Sequence, residues 1–238
     1  MTDRVTRRPD ETISYGAFAD QVYDVRLPRV PALGALVIVV HGGFWKPAYD
    51  RSHAAAQAEG FAEAGFHVAV PEYRRARRAG WPHLAADLRA ALATIRSHPH
   101  LPERAVLVGH SAGGQLVAWA LHQRIAAGLA GAVSLGGCLD LALCRELDLG
   151  NGAVEALFGG PTPADADPLL LGAAPAPVIA LHGDRDEQVP VEVSRSYHRA
   201  VPGSTLRELP GVDHYAPIDP RTEAFVTSLD AVRSLLAI

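Results

Sequence analysis

Cysteine is nearly absent from these 238 residues, Cys138 and Cys144 being the two present. Two thiols six positions apart are too few for a disulfide framework and lack the paired spacing of a structural zinc site, so they read as apolar filler in a reducing compartment. No stretch approaches the ~18 consecutive apolar residues of a membrane span. The opening "MTDRVTRRPDETISYG" has charge but no apolar run behind it, which predicts a cytoplasmic protein without a leader or membrane partner. Strong charge of one sign is missing too: a formal net charge of −4 gives no electrostatic case for nucleic acid. The one basic cluster, Arg74, Arg75, Arg77 and Arg78, reads as a solvated loop. His98-Pro99-His100 lacks a neighbouring carboxylate cluster, so neither a metal site nor a cofactor is expected.

What is present is an ordinary globular composition, 48% hydrophobic and 20% charged. A chain of this length can bury roughly 70–75% of its unfolded surface, and one domain over 1–238 is expected. Short apolar runs at 35–40, 67–70, 105–109, 129–135 and 177–181 alternate with longer segments of helical period at 52–64, 82–97, 112–127, 190–201 and 219–237. The short runs are apolar on both alternating faces, as strands are when helices cover a sheet from either side. The pattern predicts an α/β fold with a doubly wound, mostly parallel sheet. "QVYDVRL" (21–27) alternates and fits an antiparallel edge strand.

Within that pattern, Gly109-His110-Ser111-Ala112-Gly113 falls between a buried strand and a helix. Glycines at 109 and 113 leave room around a sharp turn that lifts the Ser111 hydroxyl above the sheet, at a helix N-terminus that favours a developing negative charge. A serine needs a base, and the base needs a third group to fix its tautomer. "VIALHGDRDEQVP" supplies acids directly after the strand at 177–181, and "ELPGVDHYAP" supplies His214. Asp186, Asp184 and Asp213 all compete for the role of the acid.

Together these segments resemble the α/β-hydrolase superfamily over nearly the whole chain. "HGGFW" (41–45) with "GHSAGG" resembles the branch of kynurenine formamidases and hormone-sensitive-lipase-like carboxylesterases. The family pattern H-G-x-x-D-x-x-V-P matches His182 to Pro190, which favours Asp186 over Asp184. The resemblance implies a triad of Ser111, Asp186 and His214. It also implies an oxyanion hole of backbone N–H groups from Gly43, Phe44 and Ala112. His41 is expected to brace that loop by hydrogen bonding, and Trp45 to line the substrate pocket or pack the loop. His53, His67, His83 and Trp81 read as ordinary structural residues.

The 40 residues ahead of His41 leave no room for an N-terminal cap, and 136–176 offers at most two short helices, around 139–147 and 152–158. A shallow pocket follows, suited to a small acyl group. The expected reaction is hydrolysis of a small carboxylic ester or activated amide through an acyl-enzyme, with N-formylkynurenine-like aryl formamides and short-acyl esters as candidates. "DEQVP" looks equally like the dienelactone-hydrolase and peptidase branches. A hydrolase-fold binding protein without catalysis is the alternative of a different class.

Overall fold

The computed structural model describes residues 6–75 and 80–238. Eight strands form one sheet: β1 (Glu11–Ser14), β2 (Val22–Arg26), β3 (Leu36–Val40), β4 (His67–Pro71), β5 (Ala105–His110), β6 (Leu129–Leu135), β7 (Val178–Gly183) and β8 (Thr205–Leu209). Their spatial order is β1-β2-β4-β3-β5-β6-β7-β8. The β1–β2 and β2–β4 pairs are antiparallel, and every later pair is parallel. Seven α-helices accompany the described strands: α1 (Ala55–Glu63), α2 (Gly80–Arg96), α3 (Ala112–His122), α4 (Leu141–Glu146), α5 (Ala153–Phe158), α6 (Glu192–Ala200) and α7 (Glu223–Leu236).

The unbroken apolar runs follow from this layering. In β3 all five residues are buried, with Leu36, Ile38 and Val40 facing one core and Val37 and Val39 the other. The first core takes Leu84, Leu88 and Leu92 of α2 and Leu116 of α3; the second takes Phe61 of α1 and Phe225 and Val232 of α7. A strand covered on both sides has no polar face to alternate with. Among the described residues no helix is long and apolar enough to cross a membrane.

Several boundaries differ from the sequence expectation for local reasons. The helix predicted over 112–127 stops at His122, because Arg124 turns to φ 52° and the amides of Arg124 and Ile125 bond back to the carbonyls of Leu121 and Ala120. The helix predicted from 52 begins instead as a 3-10 turn over Arg51–Ala54, capped by Asp50. Arg74 and Arg75 are held in ion pairs, Arg74 partly and Arg75 fully buried. Arg74 makes a two-pronged bond to Asp87, and Arg75 is buried against Glu72 with Asp20 at 3.5 Å. Arg77 and Arg78 lie outside the described residues.

The segment 136–176 contains α4 and α5, followed by 3-10 turns at Ala164–Ala166 and Pro168–Leu171. Buried Asp167 ties it together, accepting from the amides of Leu169 and Leu141, the first residue of α4. Burial, reinforced by the Asp140 carboxylate, pushes the Asp167 pKa up from 3.8 to about 6. The folded state therefore favours the protonated acid. Its contribution to stability is complete below pH 3.8 and is lost as pH rises to about 6, amounting to ~3 kcal/mol. Chemical denaturation of the wild type and Asp167→Asn across this window should show the wild type losing that much relative to the variant. A constant difference between the two would refute the assignment.

Candidate active site

Ser111 sits at the junction of β5 and α3 with φ 56° and ψ −120°, outside the comfortable regions for a residue with a side chain. The surroundings enforce the conformation. A Cβ on Gly109 would lie 2.1 Å from the Gly113 carbonyl oxygen, and one on Gly113 would lie 2.1 Å from that of Val40. Strand, turn and helix thus touch backbone to backbone. The Ser111 amide donates to Leu135 O at 2.9 Å, which anchors the turn to β6.

His214 lies beyond β8, in the loop that leads to α7, and is 5% exposed. Its Nδ1 donates to Asp186 Oδ2 at 2.6 Å, so in the neutral ring Nε2 is the bare acceptor. Asp186, in the loop after β7, also accepts at Oδ1 from the amides of Gln188 and Val189. His182 Nε2 lies 3.3 Å from Oδ2 while donating to Val189 O at 2.7 Å. Burial by itself raises the Asp186 pKa, but the bonds from His182 and His214, the charge on His214 and the Val189 amide outweigh it. The carboxyl is held well below the ordinary carboxylate range. The competing acids are engaged elsewhere. Exposed Asp184 accepts from Gly211 N, and exposed Asp213 accepts from the amides of Tyr215 and Ala216.

The loop after β3 closes on this turn. A Cβ on Gly42 would be 2.6 Å from His110 O and 3.0 Å from Ser111 Cβ, so Gly42 lies directly against the serine. Gly43 and Phe44 follow with φ 107° and 51°. Among the described residues, the amides of Gly43, Phe44 and Ala112 bond to no other backbone group. A cavity of about 40 Å³ connects Gly43 and Phe44 with Ser111 and His214, and its remaining wall is Tyr49, His53, His110, Gln188 and Tyr215. Larger cavities, of about 340, 220 and 380 Å³, lie away from Ser111, His214 and Asp186.

Trp45 is not part of this wall. It is 1% exposed, belongs to the core, and its indole Nε1 donates to Gln115 Oε1 at 3.2 Å. Gln115 in turn donates to Ala166 O, so Trp45 is a post between the loop, α3 and the 136–176 segment. Conversely, sequence reasoning passed over His53. Its ring stacks on His110 at 5.9 Å and meets Tyr49 edge-on at 5.7 Å. Burial, then the nearby His41, pushes its pKa down to about 4, leaving it neutral. No local motif marks such a residue, because it reaches the site through the 3-10 turn that replaces the start of the predicted helix. His110 donates from Nε2 to the His214 carbonyl at 2.8 Å and steadies that residue's backbone.

The family described as BD-FAE matches residues 24–131. A protein of Mycobacterium tuberculosis named as an acetyl-hydrolase, LipR, is 31% identical over 153 residues, covering 63% of this chain and 45% of that protein. The chain thus spans about half the length of the curated relative it matches. A truncated carbohydrate esterase from gut microbiota superposes with a TM-score of 0.81 at 19% identity, covering 100% of this chain and 99% of the other. Esterase Est2 of Thermogutta terrifontis, solved with propionate bound, gives a TM-score of 0.72 at 21% identity over 95% and 93% of the two chains. The eight-stranded, mostly parallel sheet with helices on both faces is accordingly the α/β-hydrolase fold.

Proposed function

We propose that this chain is a serine hydrolase that cleaves a small carboxylic ester through an acyl-enzyme. One observation carries the reading: the bond of His214 Nδ1 to Asp186 leaves Nε2 as a proton acceptor on a residue that shares one small cavity with Ser111. His214 takes the Ser111 proton as the hydroxyl attacks the acyl carbon, and returns it to the departing oxygen. Asp186 stays ionised, holds the tautomer and offsets the charge gained by His214. The amides of Gly43, Phe44 and Ala112 receive the negative oxygen of the tetrahedral intermediate, each worth ~10²–10³ in rate. Water then enters with the same base and releases the acid. The names of the similar proteins, an acetyl-hydrolase and esterases, favour an ester with a short acyl group. No step calls for a metal or cofactor.

A second reading, an N-formyl aryl amide as substrate, draws on the rim. Tyr49 and Tyr215 are 42% and 39% exposed beside the cavity, and with His53 they offer ring faces on which a planar leaving group can stack.

Ser111→Ala and His214→Ala should each lower kcat by up to ~10⁶ while the fold is retained. An organophosphonate should label the wild type stoichiometrically and fail to label Ser111→Ala; mass spectrometry of the labelled chain checks both. Asp186→Asn should cost ~10⁴ by imposing the wrong histidine tautomer, whereas Asp184→Asn, at an exposed carboxylate that accepts from Gly211 N, should change kcat little. The reverse ranking would move the acid to Asp184.

The cavity sets a limit on the acyl group. One water needs about 10–15 Å³ of such space, so about 40 Å³ admits a group of only a few heavy atoms. Across aryl esters from two to eight acyl carbons, kcat/KM should fall by ~1–3 kcal/mol of transition-state binding for each methylene that finds no room. An N-formyl aryl amine assayed alongside decides between ester and formamide. A preference for long chains would contradict the size argument.

A further inference from the structure

His41 and Glu72 form a buried pair behind the loop that carries Gly43, 1% and 2% exposed. The His41 ring has a partner at each nitrogen: Nδ1 is 2.9 Å from Gly42 O, and Nε2 is 3.1 Å from Glu72 Oε1. A carbonyl oxygen only accepts, so Nδ1 carries a proton. Glu72 Oε1 also receives the Tyr73 amide and the Arg75 guanidinium, and Oε2 receives the Arg51 amide at 2.8 Å. A carboxyl surrounded by donors is the ionised acceptor, so Nε2 carries a proton as well. With both nitrogens protonated the ring is an imidazolium. Tyr73 fixes its remaining freedom, stacking on it at 4.4 Å between centroids and donating its hydroxyl to His41 O at 2.9 Å.

The planar peptide converts this into orientation. In the trans Gly42–Gly43 unit the carbonyl of Gly42 and the N–H of Gly43 point in opposite directions. We propose that Glu72 holds His41 as an imidazolium whose Nδ1–H pins the Gly42 carbonyl inward and thereby aims the Gly43 N–H at the cavity. His41 and Glu72 are then positioning residues for an oxyanion donor, and this rests on the oxyanion role given to Gly43 above. Gly43 cannot hold the direction alone: at φ 107° it has the freedom of a residue without a Cβ.

The substitution Glu72→Gln keeps an oxygen at the Oε1 position and gives up the Arg51 N–H bond at Oε2, where the amide NH2 meets another donor. Tyr73 N–H and Arg75 still require an oxygen at the Oε1 position, so His41 keeps its proton on Nε2. Without the carboxylate the ring becomes neutral and Nδ1 is bare, facing the Gly42 oxygen with no proton between them. The loop loses its pin although little volume has changed.

Three measurements test this. In wild-type protein labelled with ¹⁵N-histidine, both ring nitrogens of His41 should show attached protons, the signals being assigned by their loss in His41→Asn. A single protonated nitrogen overturns the proposal. Glu72→Gln and His41→Leu should lower kcat on an aryl acetate by ~10², the worth of one oxyanion donor, with KM within about twofold. His41→Asn, whose Nδ2 can replace the Nδ1 donor, should recover all but about tenfold. Equal loss in the Asn and Leu variants, or a change confined to KM, defeats it. Should His41→Leu fail to fold, Glu72→Gln and the ring-proton measurement still decide. Phosphonate labelling of the wild type separates the two layers of argument. An unlabelled Ser111 removes the nucleophile and this proposal with it, whereas full labelling with undiminished kcat in Glu72→Gln removes only the positioning role.

Discussion

The backbone at Ser111 is held where a side-chain-bearing residue does not go by itself, and much of the molecule is arranged to keep it there. At φ 56° and ψ −120° the serine carries local strain of order 1–3 kcal/mol. Opposing it are contacts from three separate strands. The Val40 carbonyl closes against Gly113, the Leu135 carbonyl takes the Ser111 amide, and the Gly113 carbonyl closes against Gly109. A methyl group at either glycine would push these layers apart. The strain is therefore tolerable only inside a completed sheet in which β3, β5 and β6 lie side by side.

Electrostatics around the turn follow a consistent division. Groups facing the cavity that could compete as bases are neutral: burial, with His214 close by, holds His110 far below its usual range, and His53 follows at about 4. The carboxylates behind the cavity are ionised and hydrogen-bonded, Asp186 to His214 and Glu72 to His41. Each buried carboxylate is saturated by donors, which is the condition under which a charge can remain in the interior without a large penalty.

Legibility in the sequence tracked how local the physical cause was. β3 was plain because a strand covered on both sides is apolar throughout, and Ser111 because its glycines stand two residues away on either side. β1 and β8 were missed since edge strands such as "TLREL" are mostly exposed and carry no buried run. Phe44 and Trp45 look interchangeable as adjacent aromatics. Consecutive positive φ values of 51° and 55° turn the first to the cavity and the second into the core, and nothing in two bulky side chains announces that backbone. Arg74 and Arg75 look like a solvated pair because Asp87 and Asp20 lie far along the chain. The acid was ambiguous for a similar reason: Asp184, Asp186 and Asp213 differ in what they reach, and reach is a property of the folded loop.

The strand order has one more consequence. Most neighbouring strands of the sheet are consecutive in the chain, but each parallel pair is joined by a long crossover, and the residues gathered around the Ser111 cavity follow the ends of β3, β5, β7 and β8. Ser111 and His214 are separated by most of the second half of the sequence. Parallel pairing of this kind closes long loops before any contact repays them, so assembly of the site is slow compared with that of a local hairpin or helix pair. No fragment that lacks β7 or the loop after β8 contains both Ser111 and His214. The meeting of Ser111 and His214 accordingly belongs to the same cooperative event as completion of the sheet.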